Sequence, residues 1–485
     1  MKPSSPLFRA FTIVTAGLLA VIAACWGWTE NDPRPNLVLV LVDTLRSDHL
    51  SVAGYPLATS PQLARLAERG TFFERFYAHS AVTRPSVATL LTSRYISGHL
   101  ITNQTSAGLS AALPFLPEIL ARAGYRTAAF VTNPQIHPLL GFARGFDHFE
   151  RFYDQDADPM LVRPEHVIKL PAHEVFAAVR RNVEKDGRRP FFAYVHLLDP
   201  HGPYQPPAAD LARFADPDYD GMITGSVKDF ARLERFRDHP ADLAHFRALY
   251  DAEVSSTDRA LGELVDWLDA TDQMANTHLV ITADHGEEFM EHGGTGHSLE
   301  LYDESVRVPL LWIGPGIPRG RRVDRLAGLV DVVPTLLDVL DIALPEVEFQ
   351  GRSLRPLWEE EPRPAGWRPA LFLEGLGEGP AGSREPGVAR GLVTETHKIL
   401  ATGCVVGRPG CDSFEIFDLI DDPGEQDGRR VTADDPALSP EERQLLRLYQ
   451  RQEAQALRLA PSSGLQAELP PEDLERLKSL GYVDP

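Results

Sequence analysis

The chain has 485 residues and carries 48 Lys and Arg against 69 Asp and Glu, a formal net charge of -21. That length holds one large catalytic unit plus a small accessory one. The charge argues against nucleic acid or a strongly anionic surface as partner. An anionic substrate stays open, because a bound metal ion reverses the sign locally.

Lys2 and Arg9 precede an apolar run, Ala10 to Ala24, with Cys25 directly after Ile22-Ala23-Ala24. Residues 1–30 therefore read as a targeting segment that takes no part in the fold. Two readings stand: a bacterial lipoprotein signal cleaved before a lipidated Cys25, or an uncleaved helix continuing through Trp26 and Trp28. Both put the rest of the protein in the cell envelope, membrane-anchored and outside the inner membrane.

After a Pro-rich spacer, Glu30 to Pro35, apolar runs of strand length alternate with helical periodicity. Asn36–Val42 is the first such run. Helices are predicted at Ser60–Arg69, Pro114–Ala123, Glu174–Glu184, Asp242–Leu268 and Val332–Leu340. Strands are predicted at Thr127–Thr132, Phe191–His196, His278–Thr282 and Val308–Ile313, with a short run at Ala327–Val330. The alternation implies an α/β fold whose central sheet is mostly parallel and sandwiched by helices. Prolines and Glu359-Glu360-Glu361 mark a linker over 358–368, which separates a catalytic unit, 31–357, from a C-terminal unit, 369–485. Ala370–Glu374, Gly391–Thr396, His397–Thr402 and Ser413–Leu419 read as short antiparallel strands, and Gln444–Leu459 as a helix. Cys404 and Cys411 flank a Gly/Pro turn. That spacing permits a hairpin disulfide in an oxidising compartment, with two unpaired thiols as the alternative.

Four segments carry chemistry. Two apolar runs end abruptly in carboxylates, Asp43 and Asp284, and ligands of α/β sheets collect at the carboxyl ends of strands. With His285 they form an O,O,N set suited to zinc or manganese. Thr83 lies just ahead of a Pro85-led helical run, at a helix's positive end. A divalent ion beside it would lower its pKa and make it a metal-bound nucleophile. His196-Leu197-Leu198-Asp199-Pro200-His201 and Gly293-Gly294-Thr295-Gly296-His297 supply further polar groups. Taken singly, each feature also reads as a cap or turn.

Taken together and in order, these segments resemble the sulfatase-like branch of the alkaline phosphatase superfamily, from about Pro35 to the C-terminus. Asp43-Thr44-Leu45-Arg46-Ser47-Asp48-His49-Leu50 with Gly54-Tyr55 is similar to its opening metal segment. Thr83-x-Pro85 through Leu90-Leu91-Thr92-Ser93-Arg94 resembles the nucleophile segment, Asp199-Pro200-His201-x-Pro203-Tyr204 a substrate loop, and Asp284-His285-Gly286 the second metal segment. Phe417-Asp418-Leu419 with Asp422-Pro423-Gly424-Glu425, and Leu480-Gly481-Tyr482-Val483, resemble the family's C-terminal signatures. A small antiparallel sheet with a helix at the C-terminus is also implied.

The departures shape the expected chemistry. The familiar sulfatases carry Cys or Ser where Thr83 stands and oxidise it to formylglycine, whereas oxidised threonine would be a ketone. Val87 replaces their Arg, and Asp43-Thr44 replaces an Asp-Asp pair. The resemblance therefore implies a phosphate- or sulfate-ester hydrolase with a Thr83 nucleophile, phosphoryl transfer being favoured. Its metal would be zinc or manganese, with calcium as the other option, held by Asp43, Thr83, Asp284 and His285. His201 and His297 would act on substrate oxygens, with Asn133, Arg84 and His292 as outer candidates. Asp199, His201 and His297 would hold any second metal. A phospho-head-group transferase for envelope glycans or lipids, and a silent binding protein on the same fold, are the competing readings. Substrate choice is expected from the loops Gly141–Glu150 and Arg213–His239.

Overall fold

Asn36–Val42 is apolar after its first residue and buried on both faces, so it sits at the centre of a sheet. The computed structural model describes residues 34–102, 108–153, 169–185, 189–297, 300–343, 346–359, 364, 366–377, 387–404 and 409–459. The expected targeting segment with Cys25, the Leu480–Val483 tail and residues 360–363 and 365 of the expected linker lie outside those residues.

Eight strands form the main sheet: β1 (Asn36–Val42), β2 (Thr71–Phe73), β3 (Arg126–Val131), β4 (His148–Arg151), β5 (Phe191–Leu197), β6 (Thr277–Ala283), β7 (Leu310–Ile313) and β8 (Arg321–Val323), in the order β8-β2-β7-β6-β1-β5-β3-β4. Every pairing is parallel except those of β7, which runs against both β2 and β6. The fully buried trio β5-β1-β6 thus points its carboxyl ends one way, toward one rim. Helix α1 (Pro61–Ala67) leads up to β2, and α2 (Thr83–Thr92) and α3 (Leu116–Arg122) follow it. α4 (Ala172–Val183), the 31-residue α5 (Pro240–Ala270) and α6 (Val332–Val339) come later. α5 gathers α1 and α4, while α2 packs with α3 and α6. All six begin or end within a few residues of their predicted or implied bounds.

The C-terminal unit is a separate antiparallel sheet in chain order, β9 (Ala370–Gly377), β10 (Gly387–Thr394), β11 (His397–Thr402), β12 (Ser413–Asp418) and β13 (Arg429–Val431). Helix α7 (Pro440–Leu457) closes it. Ser439 and Glu442 start this helix with a reciprocal cap. Cys404 and Cys411 form a disulfide. The sheet leans on the catalytic unit through named bonds. Glu374 N donates to the His79 carbonyl (2.8 Å), and Ser97 N donates to Glu374 Oε2 (2.8 Å).

Three expectations need correction. Ala327–Val330 is a two-residue strand, Ala327–Gly328, pairing with Phe76–Tyr77, and a 3-10 turn takes up the rest. Gly141–Glu150 is no free loop, because most of β4 lies within it. Arg213–His239 contains the helix Leu233–Asp238.

Candidate active site

The register of the sheet builds the centre of the site. Val42 pairs with Ala283, so the next residues, Asp43 and Asp284, leave adjacent strand ends side by side. Both are completely buried. Asp43 Oδ2 accepts from Asn133 Nδ2 (2.6 Å) and faces His196 Nε2 (3.2 Å). Asp284 Oδ1 accepts from the backbone N–H groups of Thr44 (3.2 Å) and His285 (2.9 Å). The other oxygen of each carboxylate, Asp43 Oδ1 and Asp284 Oδ2, is buried without a hydrogen-bond donor.

Those two orphaned oxygens converge on one nitrogen, His285 Nε2, at 3.9 and 3.5 Å. His285 Nδ1 lies 2.8 Å from the Gly286 carbonyl, which can only accept, so Nδ1 holds the proton and Nε2 offers its lone pair. Thr83 Oγ1 is 3.3 Å from the same Nε2. Buried carboxylate oxygens without donors are costly, and a cation among them removes that cost. The donor chemistry therefore fits a divalent metal, with Asp43, Asp284, His285 and Thr83 as the residues that would hold it.

Asp43, His196 and Asp284 also have ligand atoms within 4.8 Å of one another. His196 is the weaker ligand, because its Nε2 already faces the satisfied oxygen of Asp43 and its Nδ1 lies 3.1 Å from Tyr194 Oη. It orients Asp43 instead. The sequence reading missed it. A histidine in the otherwise apolar and aromatic run Phe191–Leu197 was the available signal.

Without a metal the two acids repel. Burial and the neighbouring Asp43 charge push Asp284 well above the usual carboxylate range. Burial would also raise Asp43, but His201, His196 and His285 together hold it well below that range. A cation here would favour ionisation of both.

Thr83 is itself the first residue of α2, preceded by Val82 in an extended conformation. Pro85 falls within the first turn, where no intrahelical N–H partner is missing. The hydroxyl thus stands where the unpaired N–H groups of the helix favour an anion. Ser93, with φ of +55°, ends the helix in the left-handed conformation.

His201 and His297 meet at the rim, Nε2 to Nε2 at 3.2 Å. Each Nδ1 is tied to a carbonyl, His201 to Gly202 and His297 to Ala81 (3.0 Å). Both Nε2 atoms are therefore the chemically available ones. The His297 ring lies 4.2 Å from that of His285, centre to centre. Burial lowers the basicity of both rim histidines, and for His297 the adjoining imidazoles lower it further. A side chain at Gly202 would collide with the Phe230 ring, which also borders Gly296. Glycine at 202 is thus what lets the two histidine loops close on one aromatic side chain.

Other predicted residues fall differently. Asn133 binds Asp43 rather than standing free for substrate. Arg84 is buried, with its guanidinium held by the Thr102 carbonyl and the Gln135 side chain, so it is no free anion receptor. The proposed second metal set is not assembled among the described residues. Asp199 Oδ1 instead lies 3.0 Å from Lys169 Nζ. His292 stacks on Tyr302 and binds Glu304 Oε1 (2.6 Å) and the Glu425 carbonyl (3.0 Å), tying the catalytic unit to the C-terminal one.

Comparison with known proteins agrees with this architecture. The Sulfatase family profile matches residues 35–342, and the profile for N-sulphoglucosamine sulphohydrolase, C-terminal, matches 290–451. The chain is 26% identical over 508 residues to N-acetylglucosamine-6-O-sulfatase of Bacteroides thetaiotaomicron, covering 87% of each. It is 27% identical over 387 residues to human (Homo sapiens) arylsulfatase K, covering 72% of this chain and 71% of that one. Among solved structures, the phosphonate monoester hydrolase of Agrobacterium radiobacter superposes with a TM-score of 0.66 at 24% identity, over 88% of this chain and 95% of that one. A protein solved with its substrate D-glucosamine-2-N,6-O-disulfate gives 0.68 at 20% identity, over 88% and 98%. With its profile spanning well over half of the chain, this protein belongs to the sulfatase family, the ester hydrolases of the alkaline phosphatase superfamily.

Proposed function

We propose that this protein is a metal-dependent hydrolase of phosphate or sulfate esters, anchored outside the bacterial inner membrane, with the Thr83 hydroxyl as its nucleophile. One observation carries the reading: Thr83 Oγ1 lies 3.3 Å from His285 Nε2, on which two donorless carboxylate oxygens also converge. The donor set suits zinc or manganese, with calcium as the harder alternative. When bound, the cation supplies Lewis acidity toward the substrate oxyanion and lowers the pKa of the threonine hydroxyl.

The chain's own groups supply the remaining steps. The Thr83 oxygen, its proton released to solvent, attacks phosphorus or sulfur in line with the departing alcohol, and the bond to Thr83 forms as the ester bond breaks. An incoming anion favours a proton on the facing Nε2 atoms of His201 and His297, and the leaving oxygen takes that proton. Water then gives a proton back to the histidine pair and attacks the same phosphorus or sulfur, the bond to Thr83 breaks with its oxygen regaining a proton from solvent, and phosphate, a phosphate monoester or sulfate departs.

Phosphorus is the favoured centre. A formylglycine hydrate can expel its bound group by collapsing to an aldehyde, and threonine has no such route. Its ester has to be opened by in-line attack of water, a route open to a phosphoryl centre. The test is elemental analysis of the chain lacking residues before Glu30, with a panel of 4-nitrophenyl phosphate mono- and diesters, phosphonates and sulfates. The expected result is about one equivalent of divalent metal and turnover that vanishes in Thr83→Ala. Near wild-type turnover by that variant would overturn the nucleophile assignment.

A further inference from the structure

We infer that Lys169, bridging Asp199 and Glu253, is a positioning residue that sets the placement of His201; this rests on the role proposed above for that histidine. Lys169 Nζ lies 3.0 Å from Asp199 Oδ1 and 2.6 Å from Glu253 Oε2, with the glutamate buried and the lysine largely so. The second oxygen of Glu253 accepts from the backbone N–H of Gln205. Asp199 and Gln205 are the two ends of the segment that carries His201. One lysine and one glutamate therefore hold both ends of the histidine loop.

The anchor for this clamp is α5. Glu253 lies one helical turn from Tyr250, on the same face. Tyr250 Oη donates to the Thr44 carbonyl (2.8 Å) and accepts from Arg46 N (2.9 Å), so that face also fixes the chain leaving Asp43. The metal-side loop and the histidine loop are thereby referred to one rigid helix. A largely buried ion triad is a poor way to gain stability, since apolar replacements of similar volume are often neutral or better. Its value lies in geometry, because catalytic groups lose their effect when displaced by about 1 Å.

A double-mutant cycle tests this in the metal-loaded protein, using the 4-nitrophenyl ester it hydrolyses fastest. Lys169→Met is expected to lower kcat by about 10²-fold with bound metal retained. In a His201→Ala background the same substitution is expected to cost under about twofold, since the group it positions is gone. If Lys169→Met does not fold, the charge-balanced Lys169→Met/Glu253→Leu variant takes its place in the same cycle. Multiplicative losses of the lysine and histidine substitutions would overturn the positioning role and leave the proposed function standing. A fully active His201→Ala enzyme would overturn both.

Discussion

Thr83 Oγ1 and His285 Nε2 lie 3.3 Å apart across 202 positions of sequence, one at the start of α2 and the other just past the end of β6. This contact joins the helix that presents the hydroxyl to the sheet that presents the acids. A change of side chain at 83 is therefore felt at the acids as well as at the helix.

Thr83→Ser is expected to keep turnover within about tenfold of wild type, because it retains the hydroxyl at the helix terminus, whereas Thr83→Ala loses about 10³-fold or more. Intact-mass analysis of acid-quenched protein should show a phosphoryl or sulfuryl adduct on the Thr83 peptide. The untreated peptide should have the mass of ordinary threonine.

Chelation is expected to abolish activity and to lower the melting temperature, because it returns Asp43 Oδ1 and Asp284 Oδ2 to a buried state without partners. Restoring zinc or manganese at about a hundredfold excess over Kd should add about 2.7 kcal/mol of stability. Asp284→Asn should erase that metal-dependent increment in a calorimetric titration.

Asn133 and His196 orient Asp43 and do not face the substrate. Asn133→Ala is therefore expected to weaken metal affinity by about 10–100-fold. Saturating metal should recover much of the activity. A competition titration against a chromophoric chelator reads the affinity directly.

His292 gives a pH signature away from the chemistry. Burial alone would lower its pKa, but the Glu304 carboxylate and the Glu425 carbonyl outweigh it and raise the imidazole to about 9. Its protonated form is thus favoured by folding. The stabilisation is fully present below its ordinary value of 6.5 and is lost as pH climbs through about 9. The melting-temperature gap between wild type and His292→Gln should be widest near pH 6 and should close toward alkaline pH.

Much of this was legible in the sequence, for physical reasons that differ by residue. Asp43 and Asp284 stood out because an uninterrupted apolar run ending in an acid marks a buried strand's rim. Cys404 and Cys411 stood out because a short turn separates them, and they are joined. His196 was hidden because it lies inside strand β5, where a lone histidine reads as a core residue. Lys169 was hidden because its partners are 30 and 84 positions away, on a loop and on a helix flank. Local periodicity carries no information about such a meeting. Strand β4 escaped notice because its four residues are all half-buried and show no alternation. Asn133 was expected on the substrate side, whereas in the structure its amide serves an acid of the protein itself.

The bonds from β9 to His79 and Ser97 grip the polypeptide on either side of the helix that starts at Thr83. A gene fragment stopping ahead of Ala370 would remove one brace from each flank of that helix. The small appended sheet is therefore a buttress for the nucleophile segment, and a truncated gene product is expected to hold that segment less firmly.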